Sequence, residues 1–214
     1  MPILSAIYKK FTAPALPQPP AQYQAPYVDQ FNRVLRLYFA QLDALLESLF
    51  TPNGGAVIMV PSGSFSSSVS QSTTANTDTV VTLNTTDYSN AVSVQTTTKM
   101  TVTRPGIYRV QYSAQLQNTD TDGQDVSIWL RKNGTDVASS NSIFGMPSRK
   151  SPSEPAHTLG SFTYILSLLA LEYIELVWSP TDAAASMPAY AAGTGPTIPA
   201  TPSVIATMTF VSAL

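Results

Sequence analysis

From Val28 onward the apolar residues fall at Val28, Phe31, Leu35, Tyr38, Leu42, Leu45 and Leu49. The steps alternate three and four, as the a and d positions of a coiled-coil seam do, and they predict one helix over 27–50. Pro26 suits its first position and Asp29 its first turn, and Gly54 and Gly55 after Thr51-Pro52-Asn53 close it. Val34, Leu37, Phe39, Leu46 and Phe50 widen the apolar stripe to more than half the circumference. Burying a large side chain is worth roughly 1.5–3 kcal/mol, and a lone helix in water forfeits nearly all of it. Asp43 and Glu47 sit one turn apart near the helix C-terminus, where like charges oppose each other and the macrodipole. Packing must therefore hold this helix. Its ridge can be covered by the chain's own β region or by sister copies, and the expectation is a short parallel stalk, roughly 33 Å long.

After a linker at 51–55 the period drops to two, and residues 56–214 read as all β. Ser and Thr make up 19 of the 37 residues from 62 to 98, with Val80-Val81-Thr82-Leu83 strand-like. Arg104-Pro105-Gly106 is a turn, after which Tyr108, Val110, Tyr112, Ala114 and Leu116 alternate strictly with polar partners. Val126, Ile128 and Leu130 repeat the pattern before Asn133-Gly134, the strongest short hairpin signal. Phe162, Tyr164, Leu166 and Leu168 form another face, followed by Ile174, Leu176 and Trp178, with a closing strand from Val204 to Val211. The stretches 139–155 and 180–203 read as long loops. Tyr108, Val110, Tyr112, Ile128, Leu130, Leu166, Leu168, Leu176 and Trp178 are the expected core. Many short alternating strands imply a β-sandwich or jelly roll.

Ahead of the helix, residues 1–26 read as an arm. Pro14, Pro17, Pro19, Pro20 and Pro26 favour an extended path, and Ile3, Leu4, Ile7, Tyr8 and Phe11 precede them with no domain of their own to enter. Those five are expected to form a docking peptide for a larger partner. Met1 to Lys10 places its apolar run before its lysines, the reverse of a secretory signal, and no run reaches the length of a membrane helix.

Composition narrows the function. Only 11% of residues are charged and the net charge is −2, so nothing draws the chain to nucleic acid or to an anionic membrane. A surface so poor in charge is clothed in Ser, Thr, Asn and Gln, or in other protein. With no Cys, disulfide scaffolds and thiolate chemistry are excluded. His157, the single histidine, lies in a Ser153-Glu154-Pro155-Ala156 context with no nucleophile elbow nearby. Asp120-Thr121-Asp122-Gly123-Gln124-Asp125 opens like a calcium loop, but a twelve-residue loop wants a glutamate at its end, and Val-Ser-Ile-Trp follows instead. Glu172 and Glu175 imitate a glycosidase pair and read as two surface carboxylates. Trp129 is opposite in parity to Ile128 and Leu130, so it faces outward or into a subunit interface, the latter being the expectation. Tyr88, Trp129 and Tyr190 are the aromatics placed to stack on a sugar. No enzyme activity, cofactor or metal is expected.

The segment Thr101-Val102-Thr103-Arg104-Pro105-Gly106-Ile107-Tyr108, the run Val126 to Gly134, the pair of strands Ser161 to Trp178 and the closing Ser203 to Val211 stand in the order of the tumour necrosis factor and complement globular head jelly rolls. The β region resembles that superfamily. Ala170-Leu171-Glu172 departs from its pattern, standing where Gly-Asp is usual. Ile128 to Asp136, Glu175 to Ser179, Pro202 to Ile205, Leu16-Pro17-Gln18-Pro19-Pro20 and Leu35 to Phe39 are further similar to bacteriophage virion proteins of this fold. The resemblance implies a homotrimer on the outer surface of a virion, assembled in the host cytoplasm. Its arm would anchor it to the major capsid protein or another virion protein, and its head would face outward as a capsid decoration or head fibre. The alternative is a tail fibre or receptor-binding tip that recognises a host surface glycan.

Overall fold

The computed structural model describes residues 14–18, 22, 24–50 and 60–214, except for the side chains of 45 and 47–50. The arm residues Ile3, Leu4, Ile7, Tyr8 and Phe11, the side chains of Leu45 and Leu49, and the 51–55 linker therefore lie outside the described residues. The chain divides into two units, 1–59 and 60–214.

In the first unit one helix, α1 (Ala25–Phe50), begins two residues earlier than the sequence pattern predicts. Gln24 caps it, its carbonyl accepting the N–H groups of Tyr27 (3.1 Å) and Val28 (3.3 Å). Pro26 thus sits at the second helical position and Asp29 in the second turn. The first turn carries no acidic residue and the last turn no basic one, so neither end is electrostatically compensated. The Pro-rich segment 14–18 runs antiparallel to the helix. Tyr27 Oη donates to the Pro17 carbonyl at 3.3 Å, and Pro14 lines a shallow groove with Val34, Leu37, Tyr38 and Gln41.

The second unit is mainly β and antiparallel. In chain order its strands are β1 (Ser62–Ser67), β2 (Gln71–Ser72), β3 (Thr79–Val80), β4 (Thr85–Asn90), β5 (Val92–Gln95), β6 (Lys99–Val102), β7 (Gly106–Asn118) and β8 (Gln124–Lys132). Then follow β9 (Thr135–Asp136), β10 (Ser142–Met146), β11 (Ala156–Leu168), β12 (Tyr173–Pro180), β13 (Ala185–Met187), β14 (Gly193–Thr194), β15 (Thr197–Ile198) and β16 (Val204–Ser212). One seven-stranded sheet runs β2-β13-β7-β16-β1-β4, with β11 on the far side of β7. The other runs β10-β8-β12-β6-β5, with β3 beside β12 and β9 beside β8, while β14 and β15 form a separate ribbon.

Inward residues of both sheets join in one core, an arrangement consistent with a β-sandwich. Tyr108, Val110, Tyr112, Ile128, Leu130, Leu168, Leu176 and Trp178 are buried in it, and Leu166, near the open edge, is half-buried. Pattern reading misses β1, because Ser62-Gly63-Ser64-Phe65-Ser66-Ser67 holds a single large apolar residue. It is nonetheless a core strand. Gly63 and Phe65 are buried on one face, and a Cβ on Gly63 would lie 2.5 Å from the Phe65 ring. The expected 139–155 loop contains β10, and the expected 180–203 loop contains β13, β14 and β15. Asn118 organises the first of these. Buried, it donates to the carbonyls of Asp122 (2.8 Å) and Pro147 (2.9 Å) and accepts the Asp120 N–H (2.9 Å).

Candidate functional site

The seam residues Val28, Phe31, Leu35, Tyr38 and Leu42 are only half-buried, and Leu37, Phe39 and Leu46 beside them are exposed. None of the helical side chains described is buried. Among the described residues, Pro14 and Pro17 of the arm segment lie against this surface.

Bare apolar side chains also stand on β11, Leu159 and Ile165 on its outward face opposite Gln115 and Arg109, and Phe162 on the face it shares with Tyr112. This 13-residue strand pairs along its whole length with β7 and, among the described residues, with no strand on its other side. Leu159, Phe162 and Ile165 on it are 57%, 44% and 65% exposed, and Ile143 on neighbouring β10 is 67% exposed. Isolated proteins blunt such edges with lysine, proline, bulges or short length. The sequence of β11 from Ala156 to Leu168 has no proline, lysine or other formal charge, and its ladder to β7 runs without a shift of register.

The carboxylates singled out in the sequence are occupied in holding turns. Asp120 accepts the Thr121 N–H (2.6 Å) and the Gln124 side-chain amide (3.0 Å), and the first of these bonds leads in holding its carboxyl below the usual range. Among the described residues no three His, Cys, Asp or Glu side chains converge as a metal site would require. Glu172 faces Lys132 at 2.7 Å and accepts the Leu169 N–H (2.7 Å) and the Asn133 side-chain amide (2.9 Å). Partial burial works to raise its pKa, but Lys132 and the amide donors outweigh that and lower it. Glu175 corrects the surface reading. It is buried, accepts the Thr98 hydroxyl at 3.1 Å and stands opposite Arg131 across the ladder. His157 is exposed, its ring edge-on to Tyr190 with centroids 6.1 Å apart.

Two open clefts mark the β unit. One, of about 420 Å³, is lined by Ser64, Ser66, Ser68, Asp87, Tyr190 and Ile205 among others. Much of its polar lining is committed: Ser66 donates to Asp87, Ser68 accepts from Asn84, and the Tyr190 hydroxyl donates to Gln117 at 2.6 Å. The other, of about 410 Å³, surrounds Trp129 with Ser127, Asp136, Val137, Ser139, Ser140, Asn141 and Ser179. Ser139, Ser140 and Asn141 belong to the stretch 139–155, which the sequence marks as a polar loop. What fixes it is Ser140, fully buried, whose hydroxyl donates to the Leu130 carbonyl (3.4 Å) and accepts the Leu130 N–H (3.0 Å).

Compared with known proteins, the chain matches no family model and no curated protein sequence.

Proposed function

We propose that the chain is a non-enzymatic structural protein of a bacteriophage virion: a homotrimer anchored by its N-terminal arm and displaying a jelly-roll head on the capsid surface. The observation that carries the self-association is the unpaired, uncharged β11 edge with Leu159, Phe162 and Ile165 bare to water. The half-covered helical seam from Val28 to Leu42 makes the same demand in the other unit. Two surfaces of this kind on one chain are satisfied together by rotational symmetry, which closes every contact.

The jelly-roll reading draws support from the strand order. Setting aside strands of two or three residues, β11-β7-β16-β1-β4 form one leaf and β10-β8-β12-β6-β5 the other, so chain-adjacent strands mostly lie in opposite sheets. The placement on a virion draws on the sequence resemblance of the arm, the helix and the run Ile128 to Asp136. Three arms on one particle give multivalent attachment, since each bound arm raises the effective concentration of the next. Deleting residues 1–26 is expected to leave the assembled head folded while abolishing its incorporation into particles, as read by the protein content of purified virions. Incorporation at the full-length level would mean that the arm is not the anchor.

A further inference from the structure

The Trp129 cleft lies on the outer face of the second sheet. Its indole is half-buried, because Ile128 and Leu130 on either side point into the core and turn Trp129 outward. The ring is held in place. Asp136 lies close to Trp129, and Asp136 is itself fixed by the Arg131 guanidinium at 2.7 Å. Arg131 and, after it, Trp129 keep the Asp136 carboxyl below its ordinary range, so it remains an acceptor.

Around this ring, Asp136 and Ser140 are committed and four other polar side chains are not. The side chains of Ser127, Ser139, Asn141 and Ser179 line the cleft, and none makes a hydrogen bond to the described residues. Ser139 has a φ of 61°, a left-handed conformation that a residue with a Cβ adopts at a cost, and Ser140 beside it pins the loop. An aromatic face rimmed by groups that both donate and accept is complementary to a pyranose, whose C–H face is apolar and whose hydroxyls do both. The volume of about 410 Å³ falls in the small-ligand range of roughly 300–1,000 Å³. The one charged residue that lines the cleft is Asp136, already paired with Arg131, so nothing in the lining attracts an anion.

We propose that the Trp129 cleft binds a neutral pyranose of a surface polysaccharide, with the sugar stacked on the indole and its hydroxyls held by Asn141, Ser127 and Ser179. This inference goes beyond the structural role and does not depend on the number of subunits. The test presents the full-length chain to an array of glucose-, galactose-, rhamnose- and N-acetylglucosamine-terminated glycans beside sialylated and uronate-containing ones. Neutral glycans are expected to bind and anionic ones not. Trp129→Ala should weaken binding about tenfold or more, with Trp129→Phe between it and the parent protein. The exposed Asn141→Ala, which leaves the core untouched, should weaken it by about threefold or more. Circular dichroism reports that each variant is folded. Binding of anionic glycans alone, no binding by the parent chain, or parent-level binding by folded Trp129→Ala and Asn141→Ala variants would each overturn the proposal.

Discussion

Tyr112 packs in the core at 1% exposure, yet its hydroxyl makes no hydrogen bond of acceptable geometry, and Ser142 is only close enough to oppose the effect of burial on its ionisation. Burial pushes its pKa up to about 12. A tyrosine whose folded pKa lies above its unfolded value contributes stability that is intact below about pH 10 and disappears as the pH climbs through 12. Tyr112→Phe removes an unsatisfied polar atom from the core. It should leave stability at pH 7 unchanged or raise it by up to about 1 kcal/mol, and it should flatten the alkaline decline between pH 10 and 12. Urea unfolding of both proteins across that pH range checks this.

Leu171 shows a different conflict between residue and position. At the β11–β12 turn it takes φ 69° with 74% of its surface exposed, where a Cβ costs about 1–2 kcal/mol and the side chain gains nothing from the core. The departure from the usual Gly-Asp was legible in Ala170-Leu171-Glu172. How the turn survives was not, because its support comes from Lys132 and Asn133 on another hairpin, both reaching Glu172. Leu171→Gly is expected to stabilise the β unit by about 1 kcal/mol in thermal or urea unfolding.

At the scale of elements, strict alternation made the long strands readable. β7 and β8 carry inward apolar residues at alternate positions, as β12 does with Ile174, Leu176 and Trp178 although Glu175 and Val177 between them are buried too, and Asn133-Gly134 forms the two-residue turn that its chemistry dictates, with φ of 49° and 83°. The Pro105-Gly106 signal is explained by packing. A Cβ on Gly106 would collide with the Phe210 ring and lie 2.9 Å from the Ser212 carbonyl, and Tyr108 donates back to the Arg104 carbonyl at 2.8 Å. Strands whose inward residues are small or that lie among prolines gave no such signal. β1 buries Gly63, Phe65 and Ser67, and β13 buries Ala185 and Met187. Of the cleft, the outward parity of Trp129 and its capacity to stack on a sugar were legible. Its walls come from β8, β12 and a loop pinned by a buried serine, and no local pattern announces that combination.

The β5–β6 hairpin is an element that departs from its own rule. Thr96 and Thr97 occupy the two positions between Gln95 and Thr98 with φ of 49° and 60°, although β-branched residues suit that region worst. The turn is tied down from outside, since the Leu83 N–H donates to the Thr97 carbonyl at 2.7 Å and Thr98 reaches Glu175. Replacing the pair with Asn-Gly keeps those backbone bonds and relieves the conformation. Thr96→Asn with Thr97→Gly should stabilise the unit by about 1–2 kcal/mol, measured as a shift in the urea midpoint with an unchanged slope.

For the whole molecule, the low charge visible in the sequence acquires a location. It leaves β11 without a single formal charge along its edge, and the described seam residues from Val28 to Leu42 only half-buried. Both features are costly for a solitary chain and ordinary for one that lives among copies. Sedimentation velocity of the full-length chain at micromolar concentration tests this directly. The account predicts one species with three times the 22.9 kDa mass of a chain, and a homogeneous single-chain species at that concentration would contradict it.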